Sequence, residues 1–213
     1  KTRELAITEA SSHEPASCEP SITITEPMAS EPEKPTIRFD PNGDLRLEIG
    51  KDPVRSMVVD SRALCRFSGK LQTMLTQSSK ENDGGSMWTV SLPDDDPAPF
   101  ALLLNLIHAR FEKIPAQVSI NQLYGVCILT NKYKMTEVLR PVADRWYKAI
   151  QRPDMSELFF KMLFVAWELG FAEDLSQMTG QIVYNCWLDE DNQLAISNSW
   201  RNLAEIEALQ RVP

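Results

Sequence analysis

Three carboxylates in a row, Asp94, Asp95 and Asp96, stand just ahead of an apolar stretch in "SLPDDDPAPFALLLNLIHARF". Carboxylates that converge on one point bind a divalent cation or divide acid and base work between them. Neighbouring side chains of an extended segment point to opposite sides, so these three do not meet on one ion by themselves. Laid on the calcium-loop pattern from Asp94, the stretch has Pro99 in place of the turn glycine and Asn105 in place of the bidentate glutamate. Asp96 followed by Pro97 reads instead as an N-cap and first helical position, with carboxylates favoured at the positive end of the helix dipole. The aspartates are therefore expected to start a helix and to hold no ligand.

The remaining chemistry-bearing residues are sparse. Cys18, Cys65, Cys127 and Cys186 lie far apart with no CxxC pair, and only His13 and His108 could join them, so zinc-ligand spacing is absent. Reduced, buried thiols are expected. His108, at the end of an apolar run, reads as a satisfied helix-terminal histidine. The chain holds no GxSxG, HExxH, GxxxxGK[ST] or GxGxxG, and Gly84-Gly85 sits in a polar loop with no helix start behind it. No catalytic, cofactor-binding or metal-ligating residue is expected; the enzymatic alternative would have to assemble a site from His108, Asp60 or the aspartate run. A formal net charge of -8 and the lack of a basic stripe argue against nucleic acid. The richest apolar stretch, "LFFKMLFVAWELGF", is too short for a membrane span and is broken by Lys161 and Glu168. No leader-like charged and apolar pair of segments opens the chain, and a cytoplasmic or nuclear protein is expected.

The elements that would position these residues follow from periodicity. Leu45, Leu47 and Ile49 alternate with Arg46 and Glu48 between two turns, as in a half-buried strand. Met57, Val58 and Val59 form a second strand that runs into helical spacing at Ala63, Leu64 and Phe67, and Leu71, Met74 and Leu75 mark another short helix. Trp88, Val90 and Leu92 give a third strand, ended by Pro93. Phe100, Leu103, Leu104 and Ile107 follow at helical spacing, with Leu102 and Leu106 making the helix apolar on most sides. Ser119 caps a helix of Ile120, Leu123, Tyr124, Cys127 and Ile128, and Val142, Trp146 and Ile150 line up in a further one, interrupted at Pro141. Beyond residue 150 three helices and no strand are expected: one from Asp154 and Glu157 to Gly170, one through Leu175, Met178, Ile182, Val183 and Cys186, and one through Leu203, Ile206 and Leu209. The order makes an α+β fold, a small sheet capped by helices with a C-terminal helical extension over 151–213.

Residues 1–36 differ in kind. They repeat Glu-Pro and Ser/Thr, with seven glutamates against Lys1, Arg3 and Lys34, so this tail carries half of the net charge. With few large apolar residues it cannot offset its ordering entropy and is expected to be disordered.

Taken in order, "GDLRLEIG", "MVVDSRALCRFSGKLQTML", "VSLPDDDPAPFALLLNLIHARFEKIP" and "LYGVCILTNKYKMTEVLRPVADRW" resemble the BTB/POZ domain, in its divergent filamentous-fungal version. The resemblance covers about 37–150. Met57, Asp60, Leu64, Ser68, Leu71 and Leu75 fall on the family's apolar, His/Ser, Leu, Ser, Phe and Leu signature positions, with Asp60 and Leu71 as departures. The resemblance implies a non-enzymatic protein-interaction module, often a homodimer, and in some members an adaptor that carries substrates to a cullin-type ubiquitin ligase. No kelch repeat, MATH domain or zinc finger accompanies it here, and the C-terminal helices are shorter than the usual BACK extension. Family dimers often form through the first helix and an N-terminal strand, with an aspartate opposite a basic residue. Asp44 matches that aspartate here, Arg62 is the nearest candidate for its partner, one place off the basic position of the animal version, and Leu64 lies on the same helix. From its own sequence context Asp44 reads first as a turn residue of "PNGD".

Overall fold

The computed structural model describes residues 36–80, 87–188, 194–196 and 206–211. The acidic tail, Gly84-Gly85 and Leu203 lie outside them. Thr36, counted with the tail on composition, opens a strand.

Three strands come first: β1 (Thr36–Arg38), β2 (Leu45–Ile49) and β3 (Arg55–Val59). Helices α1 (Ser61–Phe67) and α2 (Gly69–Lys80) precede β4 (Trp88–Leu92), and the sheet order is β1-β3-β2-β4. β2 runs antiparallel to β3 and parallel to β4, while β1 runs parallel to β3. The alternation in β2 sets the faces. Leu45, Leu47 and Ile49 are buried opposite Val90, Leu92, Met57 and Val59, which turns one face of the sheet into core. Gly43 makes the β2 turn possible: a Cβ there would meet Val58 Cγ1 and the Val59 carbonyl at 2.8 Å.

The helical layer consists of α3 (Pro97–Ile107), α4 (Ile120–Tyr133), α5 (Ala143–Ala149), α6 (Glu157–Leu169) and α7 (Ala172–Asn185). Ser119 forms a full capping box with Gln122 at the start of α4, as its sequence position predicts. A 3-10 turn over Thr136–Leu139 and Pro141 separate α4 from α5, the expected interruption. Trp146, fully buried, donates from its indole N–H to the Pro115 carbonyl at 2.9 Å. Gly170 closes α6 in the left-handed region, φ 78°.

The C-terminal part corrects the sequence reading in three places. α6 begins at Glu157 behind Ser156, so Asp154 is not its cap. Cys186, expected on a helix, opens β5 (Cys186–Leu188), which pairs antiparallel with β6 (Leu194–Ile196), so strands do interrupt the helices. The last helix, α8 (Glu207–Gln210), is a single turn. Residues 34–213 form one compact unit, and a continuous core runs from Phe39 through α6 to Met178, Ile206 and Ala208. The passage at 150/151 therefore joins helices that share one core.

Candidate functional site

The aspartate run separates into three environments. Asp96 is the N-cap of α3, its carboxylate accepting from the Ala98 N–H at 2.9 Å. Asp94 stands in water and takes a proton donor from Lys51 Nζ at 2.7 Å, which holds its carboxyl below the ordinary carboxylate range. Asp95 is the exception to the capping reading. Its side chain is 2% exposed and accepts from Lys132 Nζ at 2.6 Å and from the Tyr133 hydroxyl. Burial first, and then this hydrogen bond, push the Tyr133 phenol far above its usual range, so it stays a donor. The β4–α3 loop is thereby tied to the end of α4. One signal in the sequence marks this: Lys132 and Tyr133 place a cation and a donor together at the end of an apolar helix.

His108 caps the C-terminal end of α3 with its side chain 3% exposed. Ala109 turns into the left-handed region, φ 54°, and the Arg110 N–H closes back on Asn105, which ends the helix. This turn aims Arg110 at the Arg38 carbonyl of β1, 3.1 Å away, and places its guanidinium over the Phe39 ring. Histidine Nε2 has no hydrogen-bond partner among the described residues, and Nδ1 lies 3.9 Å from Asp40 Oδ2. The expectation of a satisfied histidine is thus corrected: the ring is packed against Phe39 with Nε2 left unpartnered among the described residues. Burial lowers its pKa, outweighing Asp40 and Asp60, which raise it; Arg110 and Arg66 lower it further.

A stability consequence follows with a definite sign. The folded pKa is depressed below the unfolded value of about 6.5, so the unfolded chain binds a proton that the native chain refuses. The neutral ring's contribution is fully present above about pH 6.5 and is lost as pH falls toward the folded pKa. His108→Leu is expected to flatten this part of the urea stability profile between pH 7 and 5 relative to the parent chain. A parallel offset of the two profiles over that range would show that His108 does not titrate across unfolding.

The family-derived residues are placed as follows. Asp44 accepts from the Ser61 N–H at 2.8 Å and from Ser61 Oγ at 2.7 Å, so it fastens the start of α1. Asp60 is the N-cap of α1, accepting from the Arg62 N–H. Arg62 is exposed and forms no ion pair with Asp44; Ser61 already occupies the carboxylate. Leu64 is fully buried in the core, so its role is packing and it presents nothing to a second copy. Asp60 acts electrostatically on His108, but the aspartate run borders a separate groove with Lys51, Arg55 and Met57.

Among the described residues, no group of three or more His, Cys, Asp or Glu is placed to hold a metal ion, and no helix is long and apolar enough to cross a membrane. Cys127 is buried and Cys65 half-buried; burial raises both thiols, and Asp44 and Asp60 add to the rise at Cys65. Neither is an activated nucleophile.

Apolar surface is the more informative feature. Ile37 in β1, Phe67 at the end of α1 and Phe111 after α3 all stand in water, although Phe67 was expected on the buried face. A second set, Val183, Tyr184, Trp187 and Leu188, runs from the end of α7 into β5. No family model matches the chain, and no curated protein matches it.

Proposed function

We propose that this chain is a non-enzymatic protein-interaction module that self-associates along the β1 edge of its sheet. The supporting observation is the state of β1: an edge strand of three residues, all exposed, with Ile37 facing solvent. Exposed strand edges pair readily with another chain unless covered or blunted by charge. Phe111 adjoins this edge, because the neighbouring Arg110 bonds to the Arg38 carbonyl. Phe67 follows Arg66, which lies close enough to His108 to influence it. The resemblance to BTB/POZ domains points to the same strand and first helix. The polar groups weighed for catalysis are engaged in capping, packing or ion pairing, which leaves recognition as the better reading.

Sedimentation velocity over a micromolar concentration series tests it. The expected result is a species of twice the 24.1 kDa chain mass. Ile37→Asp with Phe67→Glu, both at exposed positions, should return the monomer while leaving the circular dichroism melt intact. A parent chain that stays monomeric at high micromolar concentration would sink the proposal.

A further inference from the structure

Few bonds hold β1 to the sheet. It pairs with β3 over three residues, and no strand covers its other edge among the described residues. Phe39, buried, adds one bond from its N–H to the Val58 carbonyl at 2.8 Å. The turn after α3 supplies the remaining ties: Arg110 donates to the Arg38 carbonyl at 3.1 Å and lays its guanidinium over the Phe39 ring, 5.2 Å from the centroid. Edge segments held by so little open locally before the core does.

The ring packed against Phe39 is that of His108, with centroids 6.4 Å apart. Its side chain is almost wholly buried, and Nε2 has no partner among the described residues. Charged groups act on it from each neighbouring segment: Asp40 just after β1, Asp60 at the head of α1, Arg66 on α1 and Arg110 on the turn after α3. Asp40 Oδ2 stands 3.9 Å from Nδ1, beyond hydrogen-bond reach, while its Oδ1 accepts from the Asn42 N–H at 2.8 Å. The neutral imidazole has one N–H to satisfy; the imidazolium has two and a charge, buried where two arginines repel it.

We infer that His108 is a proton-sensitive latch on β1: protonation of its ring releases Arg38 and Phe39 from β3 and from Arg110, and so dismantles the edge along which the chain self-associates. The effect on association rests on the interaction reading above, whereas the latch acts within one chain. Its sign follows from linkage. Opening β1 exposes the ring to water, where it takes up a proton near about pH 6.5 that the closed form refuses. The closed strand is therefore favoured above about pH 6.5 and opens as pH falls from there toward the folded pKa, by at most about tenfold per pH unit for one proton.

Hydrogen–deuterium exchange of the full chain at pH 7.5 and 5.5, corrected for the pH dependence of intrinsic exchange, tests the latch. Protection over 36–39 is expected to be lower than over β2, insensitive to low urea, and about tenfold weaker at pH 5.5 than at pH 7.5. His108→Leu should abolish the pH difference, and His108→Gln, polar but uncharged, should do the same without an apolar replacement. Arg110→Gln, which keeps the histidine, should bring the pH 7.5 protection down to about the parent's value at pH 5.5. Protection over 36–39 that ignores pH, or that falls equally in both His108 variants, overturns the latch. So does urea-sensitive exchange there in step with β2, because His108 would then titrate only with unfolding of the whole chain. Sedimentation velocity at the two pH values reads association separately. Loss of the dimer at pH 5.5 in the parent but not in His108→Leu is expected; a dimer that persists while β1 opens overturns the link to association. A monomer at both pH values sinks the interaction reading and leaves the latch to the exchange result.

Discussion

Phe164→Ala is expected to destabilise the chain by about 3–5 kcal/mol, the cost of a buried phenylalanine reduced to a methyl. The magnitude follows from position. Phe164 is 1% exposed on α6, a helix that also buries Phe159, Phe160, Met162, Leu163, Val165 and Ala166. Its ring meets Tyr124 of α4 edge-on, with centroids 5.4 Å apart. Glu168 at the end of α6 adds a polar clasp, accepting from Thr130 Oγ1, Asn131 Nδ2 and Thr136 Oγ1. Because α6 closes the same core as the sheet, the loss should appear in one transition, coincident by far-UV circular dichroism and tryptophan fluorescence in urea. Two transitions, one of them unmoved by Phe164→Ala, would mean that residues beyond 150 fold as a separate unit. For a domain of ordinary stability the loss is a large share of the total, about 5–15 kcal/mol.

The amino-acid pattern reveals those elements whose local signal and tertiary role agree. β2 shows alternation because one face is core and the other is partly open, and its registry with β3 and β4 leaves Leu45, Leu47 and Ile49 buried. α3 and α4 show their caps, Asp96 with Pro97 and Ser119 with Gln122, because capping is a local interaction between residues two or three apart. β1 is hidden for the opposite reason. Three residues cannot display a period, and only pairing with β3 makes Thr36–Arg38 a strand. The β5–β6 hairpin is concealed too, since Cys186 continues the helical spacing of α7 before the backbone turns extended.

The candidate sites were legible to a lesser degree, because the proposed interaction rests on which apolar residues stay outside. Val183 fits the spacing of a buried helix face as well as Met178 does, yet Met178 is fully buried and Val183 is in water. Hydrophobic periodicity identifies an apolar stripe without saying whether its own chain or a partner covers it. Asp44 illustrates the polar version. Its residue type permits both a turn and an interface role, and the Ser61 hydrogen bonds, formed across the strand pair, determine where the carboxylate spends its acceptors.

The aspartate run gives the sharpest prediction, an order of effects among three identical neighbours. Asp95→Ala removes the acceptor of a buried phenol and the partner of Lys132, and leaving the Tyr133 hydroxyl unsatisfied costs its desolvation. Lys132, with 39% of its side chain exposed, can turn to water, which limits the penalty. A loss of about 2–4 kcal/mol is expected in urea unfolding. Asp96→Ala removes one cap and should cost about 1 kcal/mol. Asp94→Ala, whose partner Lys51 is equally solvated, should leave stability unchanged. Asp95→Ala combined with Tyr133→Phe should cost less than the sum of the single changes, since each alone strands the other's polar group. If the three carboxylates acted as one cluster on a ligand, the alanine variants would instead behave alike and the hydroxyl of Tyr133 would be energetically silent. The steep order Asp95, Asp96, Asp94, with coupling confined to Asp95 and Tyr133, is what a structural junction between β4, α3 and α4 requires.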